Sequence, residues 1–75
     1  MTPTQLLHFE QHHPHHTPAK VAAIREQLRI TEVRYYVLLE RAARSAEGIV
    51  ANPVTARMVR ETAQRRALER ERRIA

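Results

Sequence analysis

Ile24-Arg25-Glu26-Gln27-Leu28-Arg29-Ile30-Thr31-Glu32-Val33-Arg34-Tyr35-Tyr36-Val37-Leu38-Leu39 decides the fold. Apolar residues recur at helical spacing on both sides of Arg29-Ile30-Thr31, and Thr31 is a good N-cap for whatever follows. The stretch therefore predicts two helices joined by a three-residue turn, the spacing of a helix-turn-helix. Ile24, Leu28, Ile30, Tyr35 and Leu38 are expected to close one small core between them. The first turn of the later helix is left pointing outward, the placement that sets side chains into a DNA major groove.

Outward from this stretch the chain favours helix throughout. It has one glycine, abundant Ala, Leu, Arg and Glu, and no strand-like alternation. Thr4 is expected to cap a first helix carrying Leu6, Leu7 and Phe9, which ends before Pro14 because the residue preceding proline is pushed from helical geometry. Residues 12–17 form a connector. Thr17-Pro18 starts a second helix, with Val21, Ile24 and Leu28 turned inward. The third runs from Thr31 to about Arg44 with an inner face of Tyr35, Leu38, Leu39 and Ala42. Residues 45–51 are expected as a loop whose Ile49 and Val50 tuck into the core. Asn52-Pro53 repeats the start signal for a fourth helix reaching about Arg73, anchored by Val54, Met58 and Val59. The expectation is one all-α domain of four helices over residues 1–75, with the helix-turn-helix at about 18–44 and a projecting basic helix at about 53–73.

Seventy-five residues leave no room for an enclosed active-site cavity plus its scaffold. There is no Asp, no Cys and no Gly-rich phosphate loop, and Ser45 is the only serine. Enzymatic activity is not expected. Without cysteine there are no disulfides, which suits a reducing compartment. No apolar run approaches the roughly 20 residues of a membrane span. The expected setting is cytoplasmic and nucleoid-associated, without membrane contact.

The formal charge of +5 is unevenly placed. From Pro53 onward seven arginines face three glutamates, whereas residues 1–52 are nearly balanced. A basic terminal segment is a footprint for polyanions. Twelve arginines against one lysine also fit a solvated helix encoded by a GC-rich genome. Glu61–Arg65 and Glu69–Arg73 fall at i, i+4 in the favourable order and would steady such a helix by a few tenths of a kcal/mol each.

Several motifs together resemble a known family. Leu7-His8-Phe9-Glu10, Ala23-Ile24-Arg25-Glu26, Thr31 with Arg34-Tyr35-Tyr36, Asn52-Pro53 and the closing Arg-rich helix stand in the order found in short, functionally unassigned helix-turn-helix proteins. These come from high-GC Gram-positive bacteria and their phages. The resemblance spans nearly the whole chain, and Arg-Tyr-Tyr after the turn is its most specific element. Residues 24–44 are also similar to the promoter-reading C-terminal region of sigma factors. The resemblance implies DNA binding or transcription control. The chain departs from the family pattern at Arg29, where glycine is usual, and at His12 and His13, where a tryptophan pair is usual. A left-handed Arg29 costs about 1–2 kcal/mol.

With the inner face of the third helix removed, Thr31, Glu32, Val33 and Tyr36 are the expected base-facing residues, with Val37 and Glu40 beside them. Glu32 can accept from a cytosine amino group, Val33 and Val37 can touch thymine methyls, and Tyr36 can reach a phosphate. Solvation of Glu32, and packing of Tyr36 and Val37 against another helix, are the alternatives. Lys20, Arg25, Arg29, Arg34, Arg41 and Arg44 are expected on the DNA backbone, setting register without reading sequence. Arg57, Arg60, Arg65 and Arg66 of the basic helix contact a backbone or a second copy. Neutralising about five phosphates predicts a loss of two to three decades in affinity between 50 and 200 mM salt.

Double-stranded DNA is thus the expected partner, with a homodimer, RNA polymerase or a host protein as further partners. The rival reading is a protein-interaction module that grips an acidic host protein or the transcription machinery through the basic helical surface. His8, His12, His13, His15 and His16 invite a metal site, His8 and His12 sharing one helical face. The absence of Cys and the two prolines interrupting the run favour a solvated connector instead, with no metal and no cofactor. Below about pH 6.5 these imidazoles gain charge and add weakly to polyanion affinity.

Overall fold

In the computed structural model, which describes residues 1–74, five helices follow one another and no strand occurs among the described residues. They are α1 (Pro3–His12), α2 (Pro18–Ala23, continuing as a π turn over Ile24–Leu28), α3 (Glu32–Arg44), α4 (Ala46–Ala51) and α5 (Pro53–Ile74). The all-α expectation holds. The count is five and not four, because residues 45–51 form the short helix α4 where a loop was expected.

Local capping explains where the helices begin. Thr2, and not Thr4, caps α1: the Gln5 amide donates to its hydroxyl (3.1 Å) and the Thr2 amide donates to the Gln5 side chain (2.9 Å). This reciprocal box, with Pro3 at the first helical position, satisfies two donors that helix ends otherwise leave orphaned. Thr4 instead donates its hydroxyl to Glu47 (3.2 Å) and so ties α1 to α4. Thr17 and Thr31 accept from the amides of Lys20 and Arg34, both at 3.2 Å. Ser45 accepts from the Gly48 amide (3.0 Å) and donates to the Ala42 carbonyl (2.7 Å), closing α3 and opening α4 with one hydroxyl. Each such cap is worth about 1 kcal/mol.

α3 is the central element, with α1, α4 and α5 all packed on it. The core comprises Leu6, Leu7 and Phe9 of α1, Ile24 of the π turn, Tyr35, Leu39, Ala42 and Ala43 of α3, and Ala56 of α5. Ile24 and Tyr35 are fully buried as expected, whereas Leu28, Ile30 and Leu38 sit half-buried on the rim. The small side chains Ala42, Ala43 and Ala56 let helix backbones approach closely. Two expectations fail here. Ile49 and Val50 stay exposed, Val50 at 83 %, because Gly48 takes the inward position of α4. A Cβ there would run into the Ala42 carbonyl oxygen and come within 2.9 Å of Leu7 Cδ1. Val54 and Met58 are likewise exposed, at 63 % and 57 %, since α5 turns Ala56 and Val59 toward α3 instead.

Between α2 and α3, Arg29 adopts φ 60°, ψ 34°, the left-handed conformation. At the other end of α3 the Arg60 guanidinium donates to the Ala43 carbonyl (2.7 Å). A cation there satisfies a terminal carbonyl and complements the helix dipole. Beyond Ala67 every described residue of α5 is exposed.

Candidate nucleic-acid interface

The left-handed residue at the end of α2 turns the chain sharply, and Thr31 then restarts it as α3. The consequence is a short protruding edge. Val33 is 76 % exposed, Arg34 is exposed, and Val37 one turn later is largely open. Arg25, Arg29, Thr31 and Arg34 line one shallow hollow around this edge, so three guanidinium groups from both sides of the turn share one surface. None of the three forms an ion pair among the described residues.

Two expected base-facing residues are already engaged. His16, from the connector before α2, bridges them: its Nε2 lies 3.2 Å from Glu32 Oε1 and its Nδ1 lies 2.8 Å from the Tyr36 hydroxyl. With the ring proton on Nε2 donated to Glu32, Nδ1 accepts the Tyr36 proton. Tyr36 is half-buried and packs edge-on against Tyr35, 5.0 Å between ring centroids. Thr31 uses its oxygen as a cap and keeps its hydroxyl proton to donate. Of the four expected base-facing residues, Val33 alone is free of intramolecular polar or packing partners, with Arg34 and Val37 beside it.

The expected backbone contacts divide more sharply. Lys20 is the main correction: it is only 2 % exposed, and its ammonium donates to Glu10 Oε1 at 2.7 Å. The Tyr35 hydroxyl donates to the same oxygen, also at 2.7 Å. Lys20 Nζ lies 5.3 Å from the Tyr36 ring centroid and 5.7 Å from that of Tyr35, within cation–π range. A lone buried ammonium is so costly that it must be paired, and α1 supplies the partner. Burial, then the hydrogen bond and charge of Glu10, hold the Tyr35 phenol far above its ordinary range. Lys20 is therefore a structural cation and does not reach a phosphate.

Arg41 is exposed, and Arg44 is exposed but pairs with Glu40 at 3.2 Å. On α5, Arg57 pairs with Glu61 (3.8 Å), so Glu61 reaches back a turn instead of forward to Arg65. Arg60 is half-buried at the end of α3, a second correction to the set of contact arginines. Arg65 and Arg66 are exposed without ion pairs among the described residues and face a different groove, between α5 and α3.

Two of the histidines are tied to the backbone of α1. His12 Nδ1 lies 2.9 Å from the His8 carbonyl, and His13 Nδ1 lies 3.1 Å from that of Phe9, whose ring His13 stacks upon at 4.3 Å. Among the described residues no three His or Glu side chains are grouped to hold a metal ion. No helix of the described residues is long and apolar enough to cross a membrane. No sequence signal marked His16 or Glu10 as organising residues, because their partners lie on other helices.

Comparison with known proteins adds one finding. No curated protein and no solved structure matches the chain. A family model described as "Protein of unknown function (DUF3263)" matches residues 2–73. With that match covering nearly its whole length, the chain belongs to the DUF3263 family.

Proposed function

We propose that this protein binds double-stranded DNA as a bacterial or phage transcription regulator, with residues 18–44 acting as a helix-turn-helix. The leading edge of α3 enters the major groove. Val33 and Val37 contact thymine methyls, and Arg34 stands at the groove wall within reach of a guanine or a phosphate. Arg25, Arg29 and Arg41 hold the sugar-phosphate backbone. The observation that carries the reading is the gathering of Arg25, Arg29 and Arg34 about a helix start at which Thr31, Val33 and Arg34 are exposed.

The His16 bridge refines the assignment. Glu32 and Tyr36 meet bases only when they exchange His16 for DNA, so in the free protein they are held ready at the groove wall. Two copies reading half-sites one helical turn apart supply the specificity that a single motif lacks. The setting is a cytoplasmic protein associated with the nucleoid, without catalytic activity and without a cofactor.

The test is selection of bound fragments from a random duplex pool at physiological salt. A recovered sequence motif, lost on Val33→Ala together with Arg34→Ala, is the expected result. Recovery of fragments with no common sequence would remove the regulator reading.

A further inference from the structure

An open groove of about 880 Å³ runs between α5 on one side and α3 with the α1–α2 connector on the other. Of its lining, the DNA reading draws on Tyr36 alone, with His16 as that residue's partner in the free protein. Its α5 wall is built from rows at helical spacing: Val54, Met58 and Thr62 in one, Val59, Ala63, Arg66 and Arg70 in the other. The half nearest the start of α5 is apolar, with Val54 and Met58 exposed although they face other protein surface across the gap. The half toward the end of α5 is cationic. Arg65, Arg66 and Arg70 line it and form no ion pair among the described residues. His15 and His16 stand on the opposite wall.

Two carboxylates also line the groove, and both are occupied. Glu10 is held by Lys20 and Tyr35, and Glu40 by Arg44. The groove therefore presents an apolar strip followed by uncompensated positive charge. From Val54 to Arg70 the wall measures about 24 Å at 1.5 Å per residue, the length of a helix of some 16 residues.

We propose that this groove docks an acidic amphipathic helix of another protein, its apolar stripe on Val54, Met58 and Val59 and its carboxylates on Arg65, Arg66 and Arg70. This is helix-in-groove recognition, in which apolar anchors give affinity and charge gives orientation. A second copy of this chain is the wrong occupant, since it brings the same positive charge, +5 overall, to a cationic wall. A nucleic acid satisfies the arginines but has no apolar side chains to cover Val54 and Met58. The groove contains none of Arg25, Arg29 and Arg34, and the side chains that hold the partner lie on α5. One molecule can therefore hold DNA against the start of α3 and an acidic partner along α5, with Tyr36 the one DNA-facing residue that also lines the groove.

The experiment titrates the full chain with a labelled synthetic peptide of about 18 residues, Leu at i, i+3, i+4 and i+7 positions and Glu on the remaining face. A scramble of the same composition and a short duplex DNA are titrated in parallel. The patterned peptide is expected to bind at least about tenfold tighter than its scramble, a margin of about 1.4 kcal/mol. Met58→Glu is expected to remove that margin, and the triple change Arg65→Ala, Arg66→Ala, Arg70→Ala to weaken binding at least about tenfold at low salt. Changing Arg25, Arg29 and Arg34 to Ala is expected to leave peptide affinity intact while DNA binding falls, which separates this proposal from the DNA reading. The substituted groove residues are exposed, and an unchanged thermal midpoint verifies that each variant is folded. Equal affinity for patterned and scrambled peptides, indifference to Met58→Glu, or displacement of the peptide by duplex that Met58→Glu then fails to bind would overturn the proposal.

Discussion

The Lys20 ammonium lies 2.7 Å from Glu10 Oε1, and that same oxygen accepts the Tyr35 hydroxyl. One carboxylate thereby joins α1, α2 and α3 at their common centre. No buried side-chain nitrogen or oxygen among the described residues lacks a partner, so the cluster is fully satisfied. Breaking it from one side leaves a charge without a counter-ion. Glu10→Ala is expected to lose about 3–5 kcal/mol, a large share of the roughly 4–11 kcal/mol available to a chain this short. Exchanging all three groups together (Glu10→Leu, Lys20→Met, Tyr35→Phe) is expected to recover most of that loss, because no uncompensated charge remains. Urea midpoints of the two variants decide the matter.

Arg29 links stability and binding with opposite signs. Its left-handed backbone strains any residue with a Cβ, and glycine removes that strain. Arg29→Gly is expected to raise stability by about 0.5–1 kcal/mol. The same change removes a cation beside the α3 edge and is expected to weaken duplex binding severalfold. Thermal melts and a duplex titration on one sample read both effects.

Alkaline pH tests the burial of Tyr35. Burial and Glu10 hold its phenol above the ordinary value of 10.0, so the folded chain keeps the proton after the unfolded chain has released it. The sign follows directly: stability is fully present below about pH 10 and falls as pH rises further, by up to about 1.4 kcal/mol per unit from this group. Tyr35→Phe is expected to be less stable at pH 7 but to decline less steeply above pH 10. Urea midpoints measured from pH 7 to 11 compare the two slopes.

Gly48 sits where α4 crosses the end of α3, and a methyl group there meets the Ala42 carbonyl and Leu7. Gly48→Ala is expected to destabilise by about 2–3 kcal/mol even though alanine favours helix, since two backbones must separate. A stability gain in chemical denaturation would contradict that packing.

How far the chain could be read from its residues follows the range of each signal. Thr17-Pro18, Thr31 and Asn52-Pro53 mark the starts of α2, α3 and α5 because capping acts within three or four residues. The Thr2-Pro3-Thr4-Gln5 box is equally local, but Thr4 offers a second hydroxyl two residues on, and it is the reciprocal Gln5 contacts that make Thr2 the cap. α4 escaped because six residues show no periodicity, and its inward residue is a glycine without a side chain to count. At the candidate interface, the exposure of Val33 and Arg34 followed from the helical face alone. The roles of Lys20, Arg60 and His16 are not legible in the sequence for one reason: their partners, Glu10, Ala43 and Tyr36, lie on other helices, 10, 17 and 20 residues away. A positive charge in sequence reads as surface until a tertiary partner takes it inward.

The salt dependence of duplex binding tests the central claim most directly. With Lys20 buried, Arg25, Arg29, Arg34 and Arg41 are the cations left for the backbone around α3. Four neutralised phosphates give a slope of log affinity against log salt of about −3.6, or roughly a hundredfold loss between 50 and 200 mM. Changing Arg25, Arg29 and Arg34 to Ala is predicted to bring the slope to about −1. A wild-type slope near zero, or a steep one that the triple substitution leaves unchanged, would contradict the placement of DNA against the start of α3.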